Sequence, residues 1–222
     1  ARLLLRPLTP ATAFAVGDGA DAGTIEVSND LLQSLDGNPA GGAIAAVEVG
    51  YDAAQFDAPA NQSATVTINS GGGVSVTPSF LIQADGVGAG VAIDLADNFT
   101  ISQSGSSITF NGAGGGYTAV TAGVTLTTDS GLVQFNDDVL ISDGFTFTAN
   151  TDTLDDGTGA AITFNGHIQG NGGGNENATL DAGNGAISLG DAGADLINGT
   201  AGDGRFGDVT VDTTGTVTVD ST

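Results

Sequence analysis

The sequence predicts an all-β protein, a parallel β-solenoid of roughly 25–30 residues per coil. Three observations predict it. A strand–glycine–strand unit recurs, apolar residues alternate strictly within the unit, and turn formers and β-branched residues dominate the composition.

The recurrence is plainest in two segments. Residues 107–112 read SITFNG and residues 161–166 read AITFNG. LVQFND (132–137), AISLGD (186–191) and TVTVD (216–220) continue the series. The aligned apolar positions Ile108, Val133, Ile162, Ile187 and Val217 lie 25, 29, 25 and 30 residues apart. A short apolar segment precedes each copy: Phe99-Thr100-Ile101, Thr125-Leu126, Thr153-Leu154, Thr179-Leu180 and Val209-Thr210-Val211. A glycine separates the two segments every time, at Gly105, Gly131, Gly159, Gly185 and Gly215.

Such a unit is too thin to bury its inner face alone. Stacking solves this, with parallel strands about 4.8 Å apart and like residues laddering on like. Period-two alternation places Ile108 and Phe110, Val133 and Phe135, Ile162 and Phe164, Ile187 and Leu189, and Val217 and Val219 inside. Thr109, Gln134, Thr163, Ser188 and Thr218 then face water. At this period the chain makes about eight coils and rises near 40 Å, the strand spacing setting the rise. A β-sandwich also uses short strands, but it needs no fixed long period.

The chain is read as a single solenoid segment over 1–222, with regular repeats over 96–222 and irregular coils over 1–95. In the irregular part, residues 23–27, 46–49, 64–68, 74–76, 80–82 and 91–93 alternate as strands, and Gly41-Gly42 and Gly71-Gly72-Gly73 mark turns. All five prolines fall in this part, and proline cannot donate to a central ladder. Residues 28–35 (SNDLLQSL) read as a single helical turn, capped by Ser28 or Asn29, with Leu31, Leu32 and Leu35 on one face. The start lacks Met and resembles no signal peptide, so the chain is expected to be a piece of something longer.

Composition bounds the function. Glycine accounts for 37 residues, and there is no cysteine and no Met. A repeat stack needs no disulfides, because each layer covers the next. Three strong cations, Arg2, Arg6 and Arg205, stand against 26 acids, for a net charge of −23. A nucleic-acid partner needs clustered Lys and Arg and is excluded. Adsorption to an anionic membrane is excluded for the same reason, and no stretch is long enough for membrane insertion as a helix. A divalent cation is the natural counterion for such a surface.

The segments VTLTTDSGLVQFNDDV (124–139), GAAITFNGHIQGNGGG (159–174), ATLDAGNGAISLGD (178–191) and FGDVTVDTTGTVTVD (206–220) resemble the strand repeats of filamentous-haemagglutinin-like adhesins and other giant bacterial surface proteins. GTIEVSNDLLQSLDG (23–37) with AIAAVEVG (43–50) is similar to a further unit of such proteins. The resemblance is one of composition and rhythm over most of the chain. It implies a right-handed parallel β-helix, export to the extracellular space or bacterial cell surface, and a role in attachment or in a surface layer or filament. A host or cell-surface glycan is the implied receptor class, and a homo-oligomer or filament the implied assembly.

Three chemistries find candidate residues in the sequence. Gly190–Asn198 (GDAGADLIN) resembles one calcium-binding nonapeptide, which makes Asp191, Asp195 and Asp203 the candidate Ca²⁺ ligands. The next nine residues place Gly204 where an acid is needed and add Arg205, so a polar connecting loop is the preferred reading of the segment. The pairs Asp137-Asp138 and Asp155-Asp156, with His167, offer acid–base groups for polysaccharide cleavage. Adjacent strand residues point to opposite faces, and no cation lies near to grip an acidic sugar, so solvated turn acids are the simpler reading. Nucleophilic catalysis would rest on the single His167 and lacks an elbow motif. No catalytic residue, and no required cofactor, is therefore expected. The expected function is a structural or adhesive rod, with a calcium-binding surface-layer component and a β-helix polysaccharide-degrading enzyme as the alternatives.

Overall fold

A computed structural model describes residues 1–6, 12–19, 24–35, 44–51, 65–84, 90–112, 116–171, 174–191 and 206–220. The chain forms a right-handed parallel β-helix with three faces, in which every strand-to-strand pairing is parallel. Sheet A stacks eight strands: β1 (Arg2–Leu5), β4 (Ala46–Tyr51), β7 (Ser79–Ala84), β10 (Ile108–Asn111), β13 (Val133–Phe135), β16 (Ile162–Phe164), β19 (Ile187–Asp191) and β21 (Val217–Asp220). Sheet B stacks β3 (Ile25–Val27), β2 (Phe14–Val16), β5 (Val66–Ile68), β8 (Gly90–Leu95), β11 (Gly116–Val120), β14 (Val139–Ile141) and β17 (Ile168–Gly170). Sheet C stacks β6 (Val74–Val76), β9 (Phe99–Ile101), β12 (Val124–Thr127), β15 (Thr146–Asn150), β18 (Glu176–Gly183) and β20 (Phe206–Thr213). One coil visits A, then B, then C.

The expected columns are present in sheet A. Leu3, Val47, Phe80, Ile108, Val133, Ile162, Ile187 and Val217 form one unbroken register. Beside it, Ile82, Phe110, Phe135, Phe164 and Leu189 form another. The Phe110 and Phe135 rings stack at 4.5 Å, and those of Phe135 and Phe164 at 5.1 Å with parallel planes. Phe147 from sheet C meets Phe135 and Phe164 edge-on, at 5.8 and 6.3 Å. Aromatic pairs add to area burial, so this triple stack with its edge partner strengthens the core between sheets A and C. The outward residues Thr109, Gln134, Thr163 and Ser188 are half-buried rather than free, because rungs above and below flank them.

The structure corrects the sequence reading in four places. The regular repeat has three strands per coil, not two: 64–68 and 91–93 mark sheet B in the early coils, but its strands in the regular repeats passed unnoticed although Val139 and Ile141 alternate inward after Asp137-Asp138. Thr153-Leu154 is not a strand. Leu154 is 69% exposed in a turn, and Phe147 and Ala149 of β15 fill that place in the core. Val217 and Val219 continue the inward columns but are 46% and 44% exposed on the last described rung. In α1 (Asn29–Ser34), Ser28 caps the start, Leu32 is fully buried and Leu31 is exposed. The glycines between strands also divide into two kinds. Gly105 turns with φ +77 in open space, whereas a Cβ on Gly185 would lie 2.3 Å from the carbonyl carbon of Ala160.

The two ends differ. At the first coil, β3 pairs beneath β2, and α1 packs beneath β6 in the place of a sheet C strand. Leu32 plugs that end. At the far end, Val209, Val211, Val217 and Val219 are between 39% and 46% exposed on the outermost described rungs.

Thr118 interrupts the inward column of sheet B, between Ile93 and Val139. Its side chain is buried and Oγ1 has no hydrogen-bond partner. Thr118→Val keeps the shape and removes the unsatisfied hydroxyl, so it is expected to stabilise the fold by about 1 kcal/mol. A raised melting temperature checks this, and a lowered one contradicts it.

Candidate functional site: the outer face of sheet A

Parallel register arranges the outward side chains of sheet A in columns along the solenoid axis. Ser79 and Ser107 form a hydroxyl column on one side, the Ser79 hydroxyl accepting the Ser107 N–H at 3.0 Å. Leu81, Thr109 and Gln134 form the central column. Gln83, Asn111 and Asn136 form an amide column on the other side. Asn111 Nδ2 donates to Gln83 Oε1, and Asn165 Nδ2 donates to Asn136 Oδ1 at 2.8 Å. Gln134 Nε2 also donates to Asn136 Oδ1, at 2.6 Å, and so ties the centre to the amide column. Together these residues line an open groove of about 360 Å³ with no charged side chain.

The groove is bounded below by a neutralised carboxylate. Glu48 occupies the central column one rung beneath Leu81 and is 1% exposed. Both Arg2 and Arg6 pair with it. Two of the three arginines in the chain are thus spent on one buried acid, which two cations can hold in its ionised form away from water.

The acids singled out by sequence sit at corners, where they bind backbone. Asp137 accepts the N–H of Gly112 in the coil below. Asp138 accepts the N–H of His167 in the coil above at 2.8 Å, and its Oδ1 also lies 3.0 Å from His167 Nδ1. The two carboxylates therefore face opposite neighbours, one down and one up the axis. His167 is half-buried, less open than a free corner residue. Asp156 accepts the backbone N–H and the hydroxyl of Thr158, which hold its carboxyl below the ordinary value against slight desolvation. Asp155 adopts φ +50 in the same turn. Of the candidate calcium ligands, Asp195 and Asp203 lie outside the described residues, as does the side chain of Asp191. Among the described residues, no group of three or more His, Cys, Asp or Glu side chains is placed to hold a metal ion.

Two acidic features escaped sequence reasoning. Asp97 Oδ2 accepts the N–H groups of Ser70, Gly72 and Gly73 and the Ser70 hydroxyl, at 2.9 to 3.3 Å, while Oδ1 accepts its neighbour Asn98. Partial burial pushes this carboxyl up, but the donors from Gly73, Asn98 and Ser70 outweigh it and leave the pKa lowered. The glycine run 71–73 was the visible trace of this anion-holding turn. The second feature is Asp181. Burial, opposed by the Gly183 N–H and reinforced by the carboxylates of Asp212, Asp152 and Asp155, pushes its pKa up. Only three-dimensional stacking brings those four acids together.

The fold defines a parallel β-helix whose outer surface carries ladders of like residues. Comparisons with protein-family models, curated proteins and solved structures return no match to the chain.

Because the folded pKa of Asp97 is lowered, its stabilising effect is full above the ordinary Asp range. It fades as pH falls through the lowered folded value. Asp97→Asn keeps an acceptor and loses the charge. It is expected to cost about 1 kcal/mol at neutral pH, with the gap to wild type closing in strong acid. Denaturant melts across pH check this, and a gap that widens in acid contradicts it.

Proposed function

We propose that the protein is a non-catalytic structural or adhesive rod of a bacterial cell surface or secreted product. The observation that carries this reading is the unbroken eight-rung register of sheet A, which makes a stiff stack with a long, regular outer face. Rigid repeat stacks present extended surfaces rather than enclosed sites. The corner acids support the non-catalytic side of the reading. Asp137 and Asp138 already hold backbone groups of two different coils, and general acid–base work needs carboxyls aimed at a shared space. The surface location rests on the resemblance to filamentous-haemagglutinin-like repeats. No helix among the described residues is long and apolar enough to cross a membrane.

A calcium-dependent surface-layer role is the second reading, favoured by one observation. The carboxylates of Asp212, Asp152 and Asp155 oppose ionisation of Asp181, and cations screening that surface lessen the repulsion without a coordinating cluster among the described residues. The exposed valines on the last described rungs offer an apolar surface for association along the axis.

Electron micrographs of the purified chain are expected to show short rods near 40 Å along the stacking axis, eight rungs at the strand spacing. Ca²⁺ is expected to increase end-to-end pairs, and excess chelator to return them to single rods. Compact particles without a long axis contradict the rod. Pairing that is unchanged in chelator contradicts the cation dependence.

A further inference from the structure

The groove on sheet A stands apart from the rest of the molecule in its charge. The chain carries 26 acids, yet no charged side chain lines the groove, and the carboxylate of Glu48 beneath it is buried and held by two arginines. Its walls are hydroxyls and primary amides, which both donate and accept. Its floor includes the half-buried apolar surface of Leu81.

We propose that this groove binds a neutral, hydroxyl-rich oligosaccharide lying along the solenoid axis. This deepens the adhesive reading by naming the ligand class. Each bond in the amide network uses one of the two N–H donors on its nitrogen, so Asn111 and Gln134 keep a further donor for a ligand. The network also fixes the side chains before any ligand arrives, which lowers the ordering cost of binding. The amide column repeats once per rung, about every 4.8 Å, over Gln83, Asn111 and Asn136, and one hexose unit is close to that length. Successive sugars therefore meet an amide at each rung, with a hydroxyl opposite at the two rungs of Ser79 and Ser107. The C–H face of a pyranose covers Leu81, while its hydroxyls reach Ser79 or Ser107 on one side and Gln83, Asn111 or Asn136 on the other. The volume suits a short oligosaccharide segment and falls in the usual range for small-ligand sites. An acidic sugar or a nucleic acid would find no cation in the lining, where Arg2 and Arg6 below are already paired with Glu48, and would enter against the negative field of the whole chain. A peptide strand docks on a free sheet edge, and this face offers none between β4 and β16.

The test uses the full chain with neutral hexasaccharides from β-glucan, mannan and galactan, and polygalacturonate oligomers as the charged comparator. Binding is read by calorimetry and by shifts of the side-chain amide NMR signals. At least one neutral probe is expected to bind and to shift the signals of Gln83, Asn111, Gln134 or Asn136, with polygalacturonate weaker. Gln134→Ala removes a donor, and Thr109→Trp fills the groove. Each is expected to weaken binding about tenfold or more. Thr148→Ala, on the outer side of sheet C, is expected to leave it unchanged. Far-ultraviolet circular dichroism confirms that each variant is folded, and Gln134→Ala decides the matter should Thr109→Trp fail to fold. Failure of every neutral probe, preference for the acidic one, or equal loss in Thr148→Ala overturns the proposal. Rod shape and attachment to cells are scored separately. Rods that attach but bind no neutral sugar sink this inference and leave the adhesive role standing.

Discussion

Each coil of this molecule is too thin to cover its own inner face, so every coil depends on the ones above and below it. The bond between neighbours is the vertical column of inward side chains at strand spacing. Ile108 on Val133 on Ile162, with Phe110 on Phe135 on Phe164 beside it, is that bond in its most regular form. Fully buried, such residues contribute about 1.5–3 kcal/mol each relative to exposure, and the backbone ladder keeps them in register. Everything on the outside inherits that register. The hydroxyl and amide columns of sheet A exist because the inner columns fix which outer residue lies over which.

A chain so rich in acids needs a way to keep them from driving the coils apart. The corners supply it. Asp97, Asp137 and Asp138 each accept N–H groups from an adjacent coil, so part of the negative charge bridges coils that repulsion alone would separate. Asp181 shows the limit of that device, since its neighbours Asp212, Asp152 and Asp155 are acids in turn. The same contrast explains why the neutral groove stands out. Buried Glu48 is met by Arg2 and Arg6, and above it the lining holds only uncharged groups.

The strand repeats were legible because two physical signals coincide in them. SITFNG and AITFNG carry both inward alternation and a polar exit, so Ile108, Phe110, Ile162 and Phe164 were placed correctly from sequence. Thr153-Leu154 misled because the coil has a longer corner there. Spacing from Ile162 pointed to residues 153–154, while the alternation of Phe147 and Ala149 marked the real strand. Within the regular repeats sheet B was missed because its strands follow the polar exit of sheet A closely, and the last of them, Ile168–Gly170, carries only one large apolar residue. The groove was not legible at all. Thr109 and Gln134 read as solvent-facing residues, and their meeting with Leu81 and Asn136 depends on the register of three coils far apart in sequence. Glu48 was likewise just one acid among many until folding set two arginines against it.

The account rests on the continuity of the inner columns, and Phe135 is the rung at their centre. Phe135→Ala, followed by denaturant melting and residue-resolved hydrogen exchange, tests that continuity most directly. The expected loss is about 3–5 kcal/mol, with amide protection falling in β10 below and β16 above as well as in β13. A loss well under 1 kcal/mol, or one confined to β13, would mean that the coils stand independently of their stacked side chains.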